Sequence, residues 1–437
     1  MRQFYLILSY ILAPLVVPIL IYKALRNPAY LDRWEERFGF GRTRTERRAI
    51  WIHAVSVGEV VAASPIVRIL RSRFPNVPIV MSTVTPTGAQ RVAGLLGKDV
   101  IHTYVPYDMP GAVRRFFDRF RPRLAIIMET ELWPNLYDEC GRRQVPLVLA
   151  NARVSPRSVH KYRRFVSLFR ETLSHGIVLA AQSDRDAERF LLLGADARRT
   201  HVVGNIKFDI RLPEGIAAQG MEFRESQAGG RPVWIAASTH EGEEEAVLEA
   251  LHTVRASFPD TLLILVPRHP QRCNAVQSLL KGNNLSVVRR SSGEPCDRGT
   301  DVLLVDTLGD MYLFYAASDV AFVGGSLVPV GGHNLLEPAA LSMPIVTGPQ
   351  NINAEDIVEM LHKAGAVSIV LDAGELADEV RSCLADPELC RQRGTAGRRI
   401  LDENRGALDR LISLVMPLVD VKEMDEAPSE PLTGSLR

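Results

Sequence analysis

Short runs rich in Val, Ile and Leu alternate with amphipathic stretches along most of the chain. A parallel sheet buried on both faces reads this way when crossover helices join its strands. The first series predicts strands at 50–55, 78–82, 100–104, 123–128, 146–150 and 177–180. Between 205 and 230 the apolar rhythm lapses into a more polar stretch holding Pro213 and the Gly229-Gly230 pair, which predicts a linker. A second series follows, with strands at 233–237, 262–266, 302–305, 320–323 and 344–346 and helices near 242–257, 309–317 and 353–363. Two such arrays predict an α/β protein of two Rossmann-like domains, 41–204 and 231–420, facing each other across a cleft, with a short flexible tail at 421–437.

The N-terminus departs from this pattern. Phe4 to Tyr22 is 19 residues without a charge, about 28 Å as a helix and close to the hydrocarbon thickness of a bilayer. The run is long, holds Pro14 and Pro18, and lacks a small-x-small cleavage site before Lys23, so an anchor is expected over a cleaved signal. Lys23, Arg26, Arg33, Arg37 and Arg42 follow it while Arg2 alone precedes it, which by the positive-inside rule places the rest of the chain in the cytoplasm. Tyr30, Trp34, Phe38 and Phe40 sit among those charges, so residues 24–40 are expected along the headgroups, with 1–40 as anchor and interfacial segment.

Composition sharpens the picture in two places. The net charge of +1 gives no sign of a nucleic-acid binder, yet residues 111–170 carry 13 Lys and Arg against 5 Asp and Glu, which suggests an anionic partner for the first half. The five cysteines, Cys140, Cys273, Cys296, Cys383 and Cys390, follow neither C-x-x-C spacing nor a regular framework, which argues against a zinc knuckle or a disulfide scaffold. With 46% hydrophobic and 24% charged residues, wholesale disorder is excluded.

Candidate chemistry belongs in the loops at the carboxyl ends of the strands. There is no G-x-G-x-x-G after the first strand, no P-loop and no H-E-x-x-H, so a dinucleotide oxidoreductase, a P-loop ATPase and a zincin are unsupported, and no metal site is expected. Asp184-Arg185-Asp186 has the D-x-D form that holds a divalent ion elsewhere, but after Ser183 at a helix start it reads as dipole and cap chemistry. Ser56-Val57-Gly58-Glu59 follows the first strand. It reads either as a capping box, Glu59 bonding back to the Ser56 N–H, or as a catalytic carboxylate at the cleft. Ser238-Thr239-His240-Glu241 repeats the pattern in the second half, where a helix start could receive a phosphate. Gly324-Gly325-Ser326 and Gly331-Gly332-His333-Asn334, with Glu337 one turn on, read as a ligand loop whose N–H groups face an anion and whose carboxylate accepts from ribose hydroxyls. Arg268-His269 reads either as donors for a phosphate or as an exposed basic pair in a turn, and Gly309-Asp310-Met311, a further loop-to-helix start, reads by itself as a plain helix cap.

Taken together, Trp51-Ile52-His53-Ala54-Val55-Ser56-Val57-Gly58-Glu59, Glu129-Thr130-Glu131-Leu132-Trp133-Pro134-Asn135, Asn151-Ala152-Arg153-Val154-Ser155, Gly204-Asn205-Ile206-Lys207-Phe208-Asp209 and Gly331-Gly332-His333-Asn334 resemble the 3-deoxy-D-manno-octulosonic acid (Kdo) transferases of lipopolysaccharide synthesis. The resemblance implies a GT-B glycosyltransferase without a cofactor that moves Kdo from CMP-Kdo to the lipid A precursor with inversion. It also implies residence at the cytoplasmic face of a bacterial inner membrane, with Glu59 as the base. Donor contacts then fall on Ser238, Thr239, Arg268, His269, Gly309, Asp310, Met311, Gly332, His333, Asn334 and Glu337. Acceptor contacts fall on Glu129, Glu131, Asn151, Arg153, Ser155 and Arg157, with Lys161, Arg163 and Arg164 continuing the basic face. A helix start is expected to hold Glu59 ionised. Two other classes keep part of the pattern: a nucleotide-sugar epimerase of the same architecture, and a silent membrane-attached lipopolysaccharide-binding protein.

Overall fold

The computed structural model describes residues 2–155, 158–159, 162, 166–173 and 176–424. The chain divides into two compact units, Met1–Ile206 with Arg405–Arg437, and Lys207–Asn404.

In the first unit β1 (Ile50–His53), β2 (Ile79–Thr83), β3 (Ile101–Tyr104), β4 (Leu124–Met128), β5 (Leu147–Ala152), β6 (Val178–Ala181) and β7 (Thr200–Val202) form one parallel sheet in the order β3-β2-β1-β4-β5-β6-β7. The strand pleat sends Ile50 and Ile52 to one face and Ala49 and Trp51 to the other, and both faces are covered. Trp51 packs on Phe116 and Phe117 of the helix Pro110–Phe120, with ring centroids 4.9 and 5.9 Å away. The opposite face is closed by Val57–Arg73 and by Ala407–Met424, whose Ala407, Leu411, Val415 and Val419 recur every four residues and are fully buried. That last helix belongs to the first unit, not to the second as its place in the sequence suggests.

The second unit repeats the plan. Strands β8 (Val233–Thr239), β9 (Leu262–Pro267), β10 (Val287–Arg289), β11 (Val302–Leu304), β12 (Val320–Val323), β13 (Ile345–Thr347) and β14 (Val367–Ile369) are parallel in the order β10-β11-β9-β8-β12-β13-β14. Residues Ile216–Ala228, read as linker, are an α-helix of this unit. Gly220 allows that helix to approach Ala316, where an added Cβ would lie 2.4 Å from the Ala316 Cβ. Arg224 clamps Asp319 with bonds of 2.6 and 2.8 Å. The helix is held by close approach and an ion pair more than by an apolar stripe, which is why its periodicity is silent.

Residues Arg2–Arg26 are helical and bend by 50° between Tyr5–Ile11 and Ala13–Arg26. Pro14 lacks an N–H and its ring crowds the carbonyl of Tyr10, which accounts for the break. Among the described residues no single helix is long and apolar enough to cross a membrane; this bent pair reaches that length and apolar composition only with its two halves taken together. Large apolar side chains stay uncovered along it, Ile11 at 65% and Leu25 at 81% exposed, and Trp34 and Phe40 beyond it are also exposed. Arg37, counted above among the headgroup-facing charges, is buried instead, its guanidinium 4.2 Å from the Tyr104 ring centroid. The tail beyond 424 lies outside the described residues.

Candidate active site

The sheet order of the first unit places β1 beside β4, where the winding reverses direction, so the loops that follow these two strands meet at their carboxyl ends. The helix start after β1 carries Glu59, and the loop after β4 carries Glu129 and Glu131. Ser56 caps the helix Val57–Arg73. Glu59 does not close the expected box onto the Ser56 N–H: its carboxylate accepts from the Val55 N–H at 2.8 Å and from the Ser56 hydroxyl at 3.0 Å. The expectation of an easily ionised Glu59 is also corrected. Burial, opposed by those two donors and reinforced by the charges of Glu129 and Glu131, pushes its pKa up to about 7.

The loop after β4 is built to hold carboxylates close together. Glu129 has a left-handed φ of 56°, uncommon outside glycine, and the turn is pinned by the Glu129 N–H to the Ala150 carbonyl at 2.9 Å. The Thr130 hydroxyl donates to the Arg153 carbonyl and the Trp133 indole N–H to the Glu131 carboxylate. Burial raises the Glu131 pKa, the indole opposes that, and Glu129 adds to it. Trp133 stands edge-on to His53, centroids 5.9 Å apart. His53 is buried on β1, with Nδ1 2.9 Å from the Ser82 hydroxyl, and its pKa is depressed to about 4 by burial. His53 and Trp133 lie within the quoted motifs, but only their contact gives them a place at this site.

Asn151, with φ 53°, is fully buried and accepts the Ile206 N–H at 3.1 Å, while its Nδ2 has no partner. Ser155 is exposed and accepts the Ser158 N–H at 3.1 Å. Arg157, Lys161, Arg163 and Arg164 fall outside the described residues. Asp186 accepts from its own cap, the Ser183 hydroxyl at 2.6 Å, and from the Val154 N–H at 3.0 Å, as the helix-start reading of the D-x-D triplet requires.

In the second unit β8 and β12 are the neighbours at the reversal, so Ser238-Thr239-His240 meets the loop after β12. Here the sequence reading is revised. The helix starts at Glu243 after Gly242 (φ 90°), and Ser238 is not its cap. The fully buried Glu243 carboxylate accepts four backbone N–H groups, those of His240, Gly325, Ser326 and Leu327, at 2.7 to 2.9 Å. The N–H groups of Gly331 and Gly332 go to the Gly325 carbonyl. The glycine-loop amides expected to face a ligand anion are therefore used internally. Buried Glu244 takes Arg272 through two bonds of 2.6 and 3.1 Å and the Thr239 hydroxyl at 3.0 Å.

On this frame sit the other side chains of the candidate donor site. His240 and His333 have Nε2 atoms 2.9 Å apart, and His269 meets His240 at right angles, centroids 5.6 Å apart. Arg268 and His269 are exposed, and the Arg268 N–H bonds the Thr239 carbonyl. Asn334 caps the turn at Leu336 through its Oδ1 and donates to Glu337 at 3.1 Å. Gly309 and Asp310 are exposed and Met311 half-buried at the start of the short helix Met311–Ala316, with no cap bond from the Asp310 side chain. Glu243, Glu244 and Arg272 were missed in the sequence. Their signal was the acidic run after Gly242, which ordinarily marks only a helix start.

The family model of 3-deoxy-D-manno-octulosonic-acid transferase (kdotransferase) matches residues 32–210. A 3-deoxy-D-manno-octulosonic acid transferase of Haemophilus influenzae is 40% identical over 96% of this chain and 99% of its own length. One from Bordetella pertussis is 38% identical over 83% and 86%. A putative UDP-N-acetylglucosamine 2-epimerase structure from Listeria monocytogenes shares the fold, with a TM-score of 0.54 at 14% identity over 88% of this chain and 99% of its own. Two parallel α/β units of this kind define a GT-B-like architecture, and the matched family and relatives make the protein a glycosyltransferase. The chain belongs to the Kdo transferase family. Both the epimerase and the silent-binder readings are thereby set aside.

Proposed function

We propose that the protein transfers Kdo from CMP-Kdo to a hydroxyl of the lipid A precursor with inversion, at the cytoplasmic face of a bacterial inner membrane. Family membership supports the transfer. The observation that carries the mechanism is Glu59, a buried carboxylate whose pKa, raised to about 7, suits it to accept a proton near neutrality. The acceptor oxygen attacks the anomeric carbon of Kdo, the bond from that carbon to the phosphate oxygen breaks, CMP departs with the bonding pair, and Glu59 takes the hydroxyl proton. Glu129 and Glu131 orient the acceptor, and Arg153, Ser155 and Arg157 meet its phosphates. Arg268, His269, His333, Asn334 and Glu337 hold the nucleotide. Because CMP leaves as a monophosphate, cationic side chains can stabilise the departing charge.

The uncovered apolar face of Arg2–Arg26, with Trp34 and Phe40 beyond it, supports membrane attachment. Incubation with CMP-Kdo and tetraacyl lipid A precursor in detergent tests the activity: Kdo-lipid and CMP are expected in equal amounts, and no product from active-site-intact protein would refute it. Flotation with anionic liposomes, lost on deleting residues 2–26, tests the membrane assignment.

A further inference from the structure

Resting on the donor-site reading, we propose that His240 and His333 form a proton-sharing pair that takes up one proton when the nucleotide phosphate binds. The geometry is specific. The two rings lie within 8° of parallel, with centroids 5.1 Å apart and Nε2 atoms at 2.9 Å, so they meet edge to edge in nearly one plane, as an N–H···N hydrogen bond requires. The fold keeps room for this arrangement. A Cβ at Gly325 (φ +69°) would stand 2.8 Å from His333 Cδ2 and 3.5 Å from His240 Cδ2.

Two nitrogens this close hold one hydrogen between them, since two lone pairs or two N–H groups would repel. In the uncharged pair one ring donates through Nε2 and keeps a bare Nδ1, and the other accepts through Nε2 and carries its hydrogen on Nδ1. The two outer nitrogens are then one acceptor and one donor. A single added proton turns both into donors, the form that receives a phosphate.

The surroundings hold the empty pair uncharged. Burial depresses both rings, His333 to about 4, and Arg268 and His269 act in the same direction. Glu243 and Glu244 on the adjoining helix oppose this at His240. Neither carboxylate supplies a direct counter-ion, because Glu243 is taken by four backbone N–H groups and Glu244 by Arg272 and Thr239. A bound anion would be the missing counter-charge.

The test is an NMR titration of full-length protein in detergent with 13Cε1-labelled histidine, the two resonances assigned with His240→Gln and His333→Gln. Without ligand the shared ionisation is expected well below pH 6. Saturating CMP should move it above pH 7, an upward shift of two pH units or more, so that CMP binds about a hundredfold or more tightly to the protonated pair. Above pH 7, where a phosphomonoester is already largely dianionic, the Kd for CMP should rise with pH in the parent, and this slope should flatten in His240→Gln. CMP that binds with wild-type-like dependence on Arg268 and Glu337, yet leaves the histidine ionisation unmoved, overturns the pair and keeps the donor site. CMP binding indifferent to Arg268→Ala, Glu337→Ala and both histidine variants overturns both.

Discussion

The Tyr5 hydroxyl donates to the Asp108 carboxylate at 2.7 Å, and that carboxylate also accepts the backbone N–H groups of Asn135 and Leu136 at 3.1 and 2.9 Å. One half-buried acid thus ties the N-terminal helix to the first turn of Pro134–Arg142, directly after the loop that carries Glu131. Removing it strips two caps and one phenol bond. Asp108→Ala should cost on the order of 2 kcal/mol of stability and raise the acceptor KM. Tyr5→Phe, which spares the caps, should change thermal stability less and loosen residues 2–26 in hydrogen exchange. An unchanged exchange rate there would count against the tie.

Glu59→Gln should lose about 10² to 10⁴ in transfer rate while CMP binding is kept, measured by product formation and by calorimetry. Near-parental turnover would reduce Glu59 to a helix-start residue and move attention to Glu131. In the parent, kcat/KM should rise with pH through a midpoint near 7, because the base must be deprotonated and its pKa is about 7.

The same shift makes a stability prediction. Folding raises the pKa of Glu59 above its ordinary value of 4.5 to about 7, so the folded state favours the protonated form. Stability from this group is whole below about 4.5 and falls as the pH climbs through 7. Glu59→Gln has no charge to bury. It should therefore melt higher than the parent at pH 8, by a difference on the order of 3 kcal/mol, and the gap should close near pH 4.

Glu243→Ala should destabilise the second unit, because four backbone N–H groups, two of them buried, lose their acceptor together, a loss of about 3 kcal/mol or more. Glu243→Gln, which retains one carbonyl oxygen, should fall between. Calorimetric melting of the three proteins checks the order, and CMP affinity should drop in the same sequence as the 325–327 loop is released.

Donor and acceptor contacts should separate kinetically. Glu337→Ala is expected to weaken CMP binding with little effect on acceptor KM. Arg153→Ala should raise KM for a bisphosphorylated acceptor, keep CMP affinity, and narrow the preference over a dephosphorylated one. Equal acceptor preference in parent and Arg153→Ala would remove this residue from the acceptor site.

The sheet strands were legible because burial on both faces leaves unbroken apolar runs such as Ile50–Ile52 and Leu262–Val266. The edge strands β7, β10 and β14, three residues each and partly exposed, carry too short a run to register. Ser56 and Glu59 could be found locally since strand, loop and helix start are consecutive. Glu243 could not, because what defines it is four amides, three of which lie more than 80 residues away. The His240–His333 contact spans 93 residues and exists because β8 and β12 are neighbours in the sheet, a fact of topology that no local spacing encodes.

The return of Ala407–Met424 to the first unit makes the second an insertion within the first. The hydrophobic face built on Ile50, Ile52 and Val60 is completed only by Leu411, Val415 and Val419. During synthesis every residue of the inserted unit leaves the ribosome before the helix Ala407–Met424 that closes the unit holding Glu59. A chain truncated between Asn404 and Ala407 would keep the whole inserted unit and leave the unit holding Glu59 exposing bare core, a substrate for chaperones and proteases.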